Sequence, residues 1–247
     1  DGALDAEDKS AWGGLVILGK ATTNAGDAGF RVEGIAGTDS RTVGGIGGND
    51  DDSSGVLRYV SIRHAGIEIA ANNELNSLSM VGVGRKTVIE YVEVFACGDD
   101  GIEIWGGTVN GKYLISAFAD DDAFDFDLGY RGKMQFIMAI QDSLKGSKAN
   151  YAGEWDGDDI GAAQPFAKWT VSNATFIGGG DSANTSNAGI IIRANGAGHI
   201  YNSVFSSARQ PRAILIEDRA DTTVQDSRKR LEAGDIFFKG CVIWDAG

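Results

Sequence analysis

Two prolines, two cysteines and two histidines among 247 residues leave this chain short of the residues that most often punctuate, staple or ligate a fold. Cys97 and Cys241 alone cannot build a disulfide framework, so the redox compartment is not legible from them. With proline scarce, tight corners fall to the 36 glycines and to Asn and Asp, which tolerate positive φ. Basic residues are outnumbered 22 to 35, and the net charge of −13 repels nucleic-acid backbones and anionic membrane surfaces alike. No apolar run approaches the roughly 20 residues of a membrane-crossing helix, and no charged-then-apolar leader stands at Asp1. Leucine is sparse too: 11 residues beside 22 Ile and 15 Val, a balance that favours pleated sheet because β-branched side chains are stiff at χ1 and pack well on strands.

What is present is a repeat. The pattern apolar-x-x-apolar-x-apolar recurs from Leu57, Ile89, Val171, Ile200 and Phe238, with looser copies starting at Lys112 and Met134. The starts at Ile89, Lys112 and Met134 lie 23 and 22 residues apart, which sets a rung of about 22, and the wider gaps imply loops added to it. A second short strand precedes the repeat by about 10 residues, at Ile102–Ile104, Phe124–Phe126 and Ile190–Ile192, and by 11 at Leu78. Period-two alternation turns Ile102, Ile104, Phe124 and Phe126 inward and Glu103 and Asp125 outward. A coil of two strands cannot bury its own apolar face, so coils must stack at about 4.8 Å and share a core. The expected fold is all-β: a right-handed parallel β-helix solenoid forming one domain over 1–247, with loop insertions at about 142–168 and 217–235. A leucine-rich repeat fits less well, because no Asn or Cys ladder follows the repeat strand. One short helix is expected at Ser227–Ala233, stopped by Gly234.

The segments WGGLVILGKA (12–21), GVLRYVSIRHAG (55–66), GDDGIEIWGGTVN (98–110) and ADDDAFDFDLGYRGKMQF (119–136) resemble a family of bacterial β-helix proteins, often outer-membrane lipoproteins or secreted proteins, in the pectate-lyase-like superfamily. That resemblance implies fold and a secreted or cell-surface location; its motifs carry no reaction with them.

The sharpest chemical feature is acidic. Asp99-Asp100 and Asp120-Asp121-Asp122 stand just before equivalent strands, so Asp99 stacks over Asp121 and Asp100 over Asp122. Such carboxylates must be protonated, hydrogen-bonded to turn amides, or bridged by a hard cation, for which Ca²⁺ is the natural candidate. A catalytic reading, as polysaccharide lyase or glycoside hydrolase, would use the same four Asp with Lys112 and Lys133, which fall at matching places in successive rungs. Gly98-Asp99-Asp100 resembles the GDD segment of polygalacturonase-type hydrolases, but the accompanying Gly-His-Gly and Arg-x-Lys are missing: His64 follows Arg63, His199 precedes Ile200, and Arg193-Ala194-Asn195 follows Ile192. For sugar stacking the candidates are Trp105, Tyr130, Trp155 and Trp169, with Arg131 nearby; Trp155, in its acidic, Gly-rich insertion, either stands exposed to a ligand or packs with the insertion back onto the coil, and the packed state is the more favoured. Asn49–Asp52 forms another loop-borne acidic run.

The expectation is therefore a non-enzymatic surface or secreted module for adhesion, glycan binding or scaffolding, with possible glycan partners and calcium. Both cysteines are expected free, with Cys241 buried. Open strand edges need covering, so the native chain is expected to run beyond these residues, or copies to stack end to end into a homo-oligomer or filament.

Overall fold

The three-then-two spacing of the repeat has a backbone cause. In the strand Val56–Arg63, Leu57, Val60 and Ile62 pack into the core, and Tyr59 between them sits at φ 57°. A left-handed residue turns the strand and shifts its alternation by one, so the inward positions fall three apart across the corner and two apart after it. The same corner recurs at Tyr91, Tyr113, Phe136, Asn173, Asn202 and Gly240, all with φ between 48° and 69°.

The structure, a computed structural model, describes residues 4–35, 37–70, 73–142, 148–158, 163–179, 188–206, 211–219 and 226–244. Among these, seven coils stack with every coil-to-coil pairing parallel. The first sheet runs Leu15–Leu18, Leu78–Val81, Ile102–Trp105, Phe124–Asp127, Gly153–Asp156, Ile190–Arg193 and Ile214–Ile216. The second joins Val56–Arg63, Val88–Phe95, Asn110–Ala117 and Lys133–Ile140, then continues as pairs of shorter strands on either side of the corner. Between the sheets lies one continuous core, whose largest members include Phe124, Phe126, Trp155, Trp169 and Phe176. A parallel β-helix is therefore the architecture.

Register corrects two expectations. Leu57, Ile89, Gly111, Met134, Val171, Ile200 and Phe238 form one column, so the third copy starts at Gly111, not Lys112. Gly111 has no side chain because the Met134 sulfur and a Leu114 methyl fill that space, at 2.6 and 2.7 Å from where a Cβ would stand. Lys112 consequently pairs with Gln135, and Lys133 lies two residues earlier on its strand; the two lysines share a face but not a place. The region 142–168 is also not all insertion, since Gly153–Asp156 is a full member of the first sheet; 143–147 and 159–162 lie outside the described residues. In the second insertion the helix Ser227–Glu232 is present, capped by Asp226, whose carboxylate accepts from Lys229 N at 2.8 Å, and followed by Gly234 at φ 83°; 220–225 lie outside the described residues. Both cysteines are free, but Cys241 is only partly buried because it precedes the outermost strand, Val242–Trp244.

The corner column also builds a feature not expected from the sequence. Tyr59, Tyr91, Tyr113 and Phe136 stack face to face, with centroids 4.7, 4.5 and 5.2 Å apart, along the outside of the coil. Left-handed backbone costs a non-glycine residue about 1–2 kcal/mol, and each stacked pair returns about 0.5–1.5 kcal/mol. Both Tyr113→Ala and Tyr113→Gly are expected to lose about 1–3 kcal/mol with the two stacks. The glycine variant should be the more stable of the two by about 1 kcal/mol, the reverse of the order in an ordinary strand. Urea midpoints measure both, and an alanine variant as stable as the glycine one would refute the strained corner.

Candidate functional site

The outward face of the first sheet carries the chemistry. Alternation turns Glu103, Asp125 and Glu154 out of the core on three successive coils, in register with one another. Beside them come the two tandem Asp turns, stacked as expected: Asp121 N approaches Asp99 O at 3.4 Å, and Asp122 N donates to Asp100 Oδ1 at 2.8 Å. The chain of caps continues, with Tyr151 N donating to Asp122 Oδ1 at 2.6 Å and Asp100 N donating to Asn76 Oδ1 at 3.2 Å. Turn capping thus occupies one oxygen each of Asp100 and Asp122 and leaves the other.

These residues surround a cavity of about 370 Å³ whose nine lining residues are all carboxylates: Glu33, Glu74, Asp99, Asp100, Glu103, Asp121, Asp122, Asp125 and Glu154. Glu33 comes from the excursion between the two strands of the first coil, Leu15–Leu18 and Val56–Arg63, which folds back over the sheet, and Glu74 from the two-stranded hairpin Glu68–Ala70 with Asn73–Glu74. Gly34 N donates to Asn73 Oδ1 at 3.0 Å and ties the two excursions together. Covered in this way, Asp122, Glu103, Asp100 and Glu154 are only 3, 5, 7 and 8 % exposed. Glu103 faces away from the core, as alternation requires, yet it is buried.

Burial, then the neighbouring acids, pushes these carboxyls up. Asp99 rises to about 7, with Asp121 as its strongest charged neighbour, and Glu154 to about 8, with Asp156 raising it and Arg193 opposing. Asp100, Glu103, Asp122 and Asp125 rise well above the carboxylate range for the same first cause. Arg193 holds one edge, donating to both Asp156 oxygens at 2.9 Å and to Glu154 Oε1. Lys148 lines the adjoining cleft with Asp99, Asp120 and Asp121, and Asp120 is ion-paired there with Lys9 at 2.6 Å. Three sets bring one oxygen per residue within 4.8 Å of one another: Asp99, Asp100 and Asp121; Asp100, Glu103 and Asp125; Asp122, Asp125 and Glu154. Asp125 Oδ1 is buried without a hydrogen-bond partner.

The other expected site residues do not join this cavity. Lys112, Lys133 and Arg131 line a cleft of about 560 Å³ on the second sheet. Arg131 is already engaged there, gripping Asp50 of the Asn49–Asp52 run at 2.9 and 3.1 Å. Burial works against the Asp50 charge, but Arg131 and the Thr22 amide hold its carboxyl below the usual range. The expected stacking platform is corrected outright, because Trp105, Tyr130, Trp155 and Trp169 are all buried. Trp105 is outward-facing but lies under Phe30 of the folded-back excursion, at 5.6 Å between centroids. Tyr130 donates its hydroxyl to Val109 O at 2.8 Å. Trp155 is a core residue against Phe126 and Trp169, at 5.5 and 4.7 Å. Four of the exposed aromatics, Tyr59, Tyr91, Tyr113 and Phe136, flank an apolar groove of about 620 Å³. Their signal was an aromatic third position in four consecutive copies.

His64 and His199 are structural: His64 Nδ1 bonds Asp8 O, and His199 packs on Phe237 at 4.3 Å. Among the described residues no helix is long and apolar enough to cross a membrane. No curated protein and no solved structure matches the chain. A family model described as pectate-lyase like beta helix domain matches residues 2–243, nearly the whole solenoid, and the chain belongs to that family.

Proposed function

We propose that this chain is a non-enzymatic β-helix module, secreted or displayed on a bacterial surface, which serves adhesion, glycan binding or scaffolding and is stabilised by calcium in its carboxylate cavity. The observation that supports the calcium is the cavity wall, nine carboxylates with three sets of oxygens within 4.8 Å. Ca²⁺ takes six to eight oxygens at about 2.4 Å, so two ligands on opposite sides of one ion stand roughly 4.8 Å apart. Asp125 Oδ1, buried and without a partner, is aimed at the same space. Asp100 and Asp125 each belong to two of the sets and would bridge neighbouring ions. The module's apolar outer strands, with Val242, Ile243 and Trp244 exposed on one and Val56 and Tyr59 on the other, would let copies stack end to end.

Titration of Ca²⁺ into chelator-treated protein tests the site. At a hundred times its dissociation constant the ion should add about 2.7 kcal/mol, raising the melting temperature by roughly 5–10 °C, and Asp125→Asn should weaken that gain. No binding heat and no shift would refute it. Light scattering on the same samples measures stacking, as a mass above the 25.9 kDa of one chain.

A second reading, lyase or glycoside hydrolase, draws on Asp99 at about 7 beside the Lys148 cleft, since an acid titrating near neutrality suits proton transfer. Cleavage of uronate or neutral polysaccharides that is lost in Asp99→Asn would favour it over the non-enzymatic module. Lys112 and Lys133 do not take part in that reading, because their cleft is on the other sheet.

A further inference from the structure

We infer that the basic cleft on the second sheet is a binding site for a sulfated polysaccharide. In a chain of net charge −13 it gathers four cations, Arg85, Lys112, Arg131 and Lys133, over a floor of hydroxyls and amides. The floor is a grid: Asn110, Lys133 and Thr170 form one outward column across three coils, and Lys112, Gln135 and Ser172 form the next. The guanidinium groups are committed, Arg131 to Asp50 and Arg85 towards Asp50 and Asp51 at 3.7 and 3.4 Å. Lys112 and Lys133 are exposed, and among the described residues neither ammonium has an ion-pair partner.

That division selects the ligand. A planar carboxylate is best held by the guanidinium fork, which is taken here, whereas an ammonium is a compact point charge suited to a tetrahedral oxyanion. The two lysines stand on neighbouring strands, two residues out of step, which places their Cα atoms roughly 8 Å apart. Two such charges separated by hydroxyls and amides fit a polymer that carries sulfate esters among free hydroxyls. The cleft shares no residue with the carboxylate cavity, so this site stands or falls independently of calcium.

Dextran sulfate, neutral dextran, polygalacturonate and duplex DNA, each titrated into the 247-residue chain in chelator, provide the test. Dextran sulfate should bind tightest, with an affinity that falls as salt rises. Lys112→Gln with Lys133→Gln should weaken it about tenfold, while Arg41→Gln with Lys239→Gln, an equal charge change elsewhere, should leave it unchanged. Folding of each variant is checked by its melting transition. Absence of dextran sulfate binding, equal affinity for polygalacturonate or DNA, or an equal loss in the Arg41/Lys239 variant would overturn the inference.

Discussion

Chelator-treated protein is expected to melt lower at pH 8 than at pH 5, and saturating calcium is expected to remove most of that difference. Asp99 at about 7 and Glu154 at about 8 in the folded chain stand far above their unfolded values of 3.8 and 4.5. Between roughly pH 4 and 8 the folded state therefore holds more protons than the unfolded one, so stability falls as pH rises. Asp100, Glu103, Asp122 and Asp125 shift in the same direction. Each unit of displacement is worth about 1.4 kcal/mol, but these groups repel one another and share their protons, so the sum is far below six independent titrations. A loss of about 3–6 kcal/mol from pH 5 to 8 follows, or roughly 6–24 °C in melting temperature. Asp50 and Asp226 are shifted down, so their contribution is lost only on acidification below the usual carboxylate range, outside this window. Calcium replaces the protons with a charge the carboxylates can keep, and so flattens the profile. Chelated protein as stable at pH 8 as at pH 5 would mean that the cavity is wetter and better compensated than its geometry indicates.

The coil was legible in the sequence because its corner leaves a mark, the three-then-two spacing that a left-handed residue imposes on inward side chains. The signal failed where glycine took an inward position. At Gly111 it shifted one copy by a residue and appeared to align Lys112 with Lys133. At Gly153 it hid a strand altogether, because the missing Cβ makes room for the Trp155 ring, whose Nε1 lies 2.8 Å from where that Cβ would be. The tandem Asp turns were legible for a related reason, since residues one rung apart in sequence are neighbours in space. Glu103 and Glu154 were legible as outward residues but not as buried ones, and Asp125 was legible as outward but not as half-buried with its Oδ1 enclosed. What buries them is the excursion carrying Glu33 and the hairpin carrying Glu74, and no periodicity records where an excursion lands. The aromatic column stood at the third position of four copies, which the pattern apolar-x-x-apolar-x-apolar leaves unspecified.

Replacing Trp155 separates the two roles its sequence context allows. An exposed ligand platform in a Gly-rich insertion would lose affinity and almost no stability on truncation. The observed Trp155 is fully buried, stacked on Phe126 at 10° between planes and set edge-on to Trp169 and Phe176. Truncation of such a residue costs about 3–5 kcal/mol, because transfer energy is lost and the cavity refills only in part. Trp155→Ala should accordingly lower the melting temperature by roughly 6–20 °C. Its indole Nε1 has no hydrogen-bond partner, so the polar atom adds cost rather than support. Trp155→Phe, which removes that N–H and keeps a ring, should therefore lose much less, under about 2 kcal/mol. The loss in both variants should appear as faster unfolding if the fifth coil docks late, since interactions formed after the transition state govern the unfolding rate. Denaturant melts of the two variants decide it, and an alanine variant within about 1 kcal/mol of the parent would place Trp155 back on the surface.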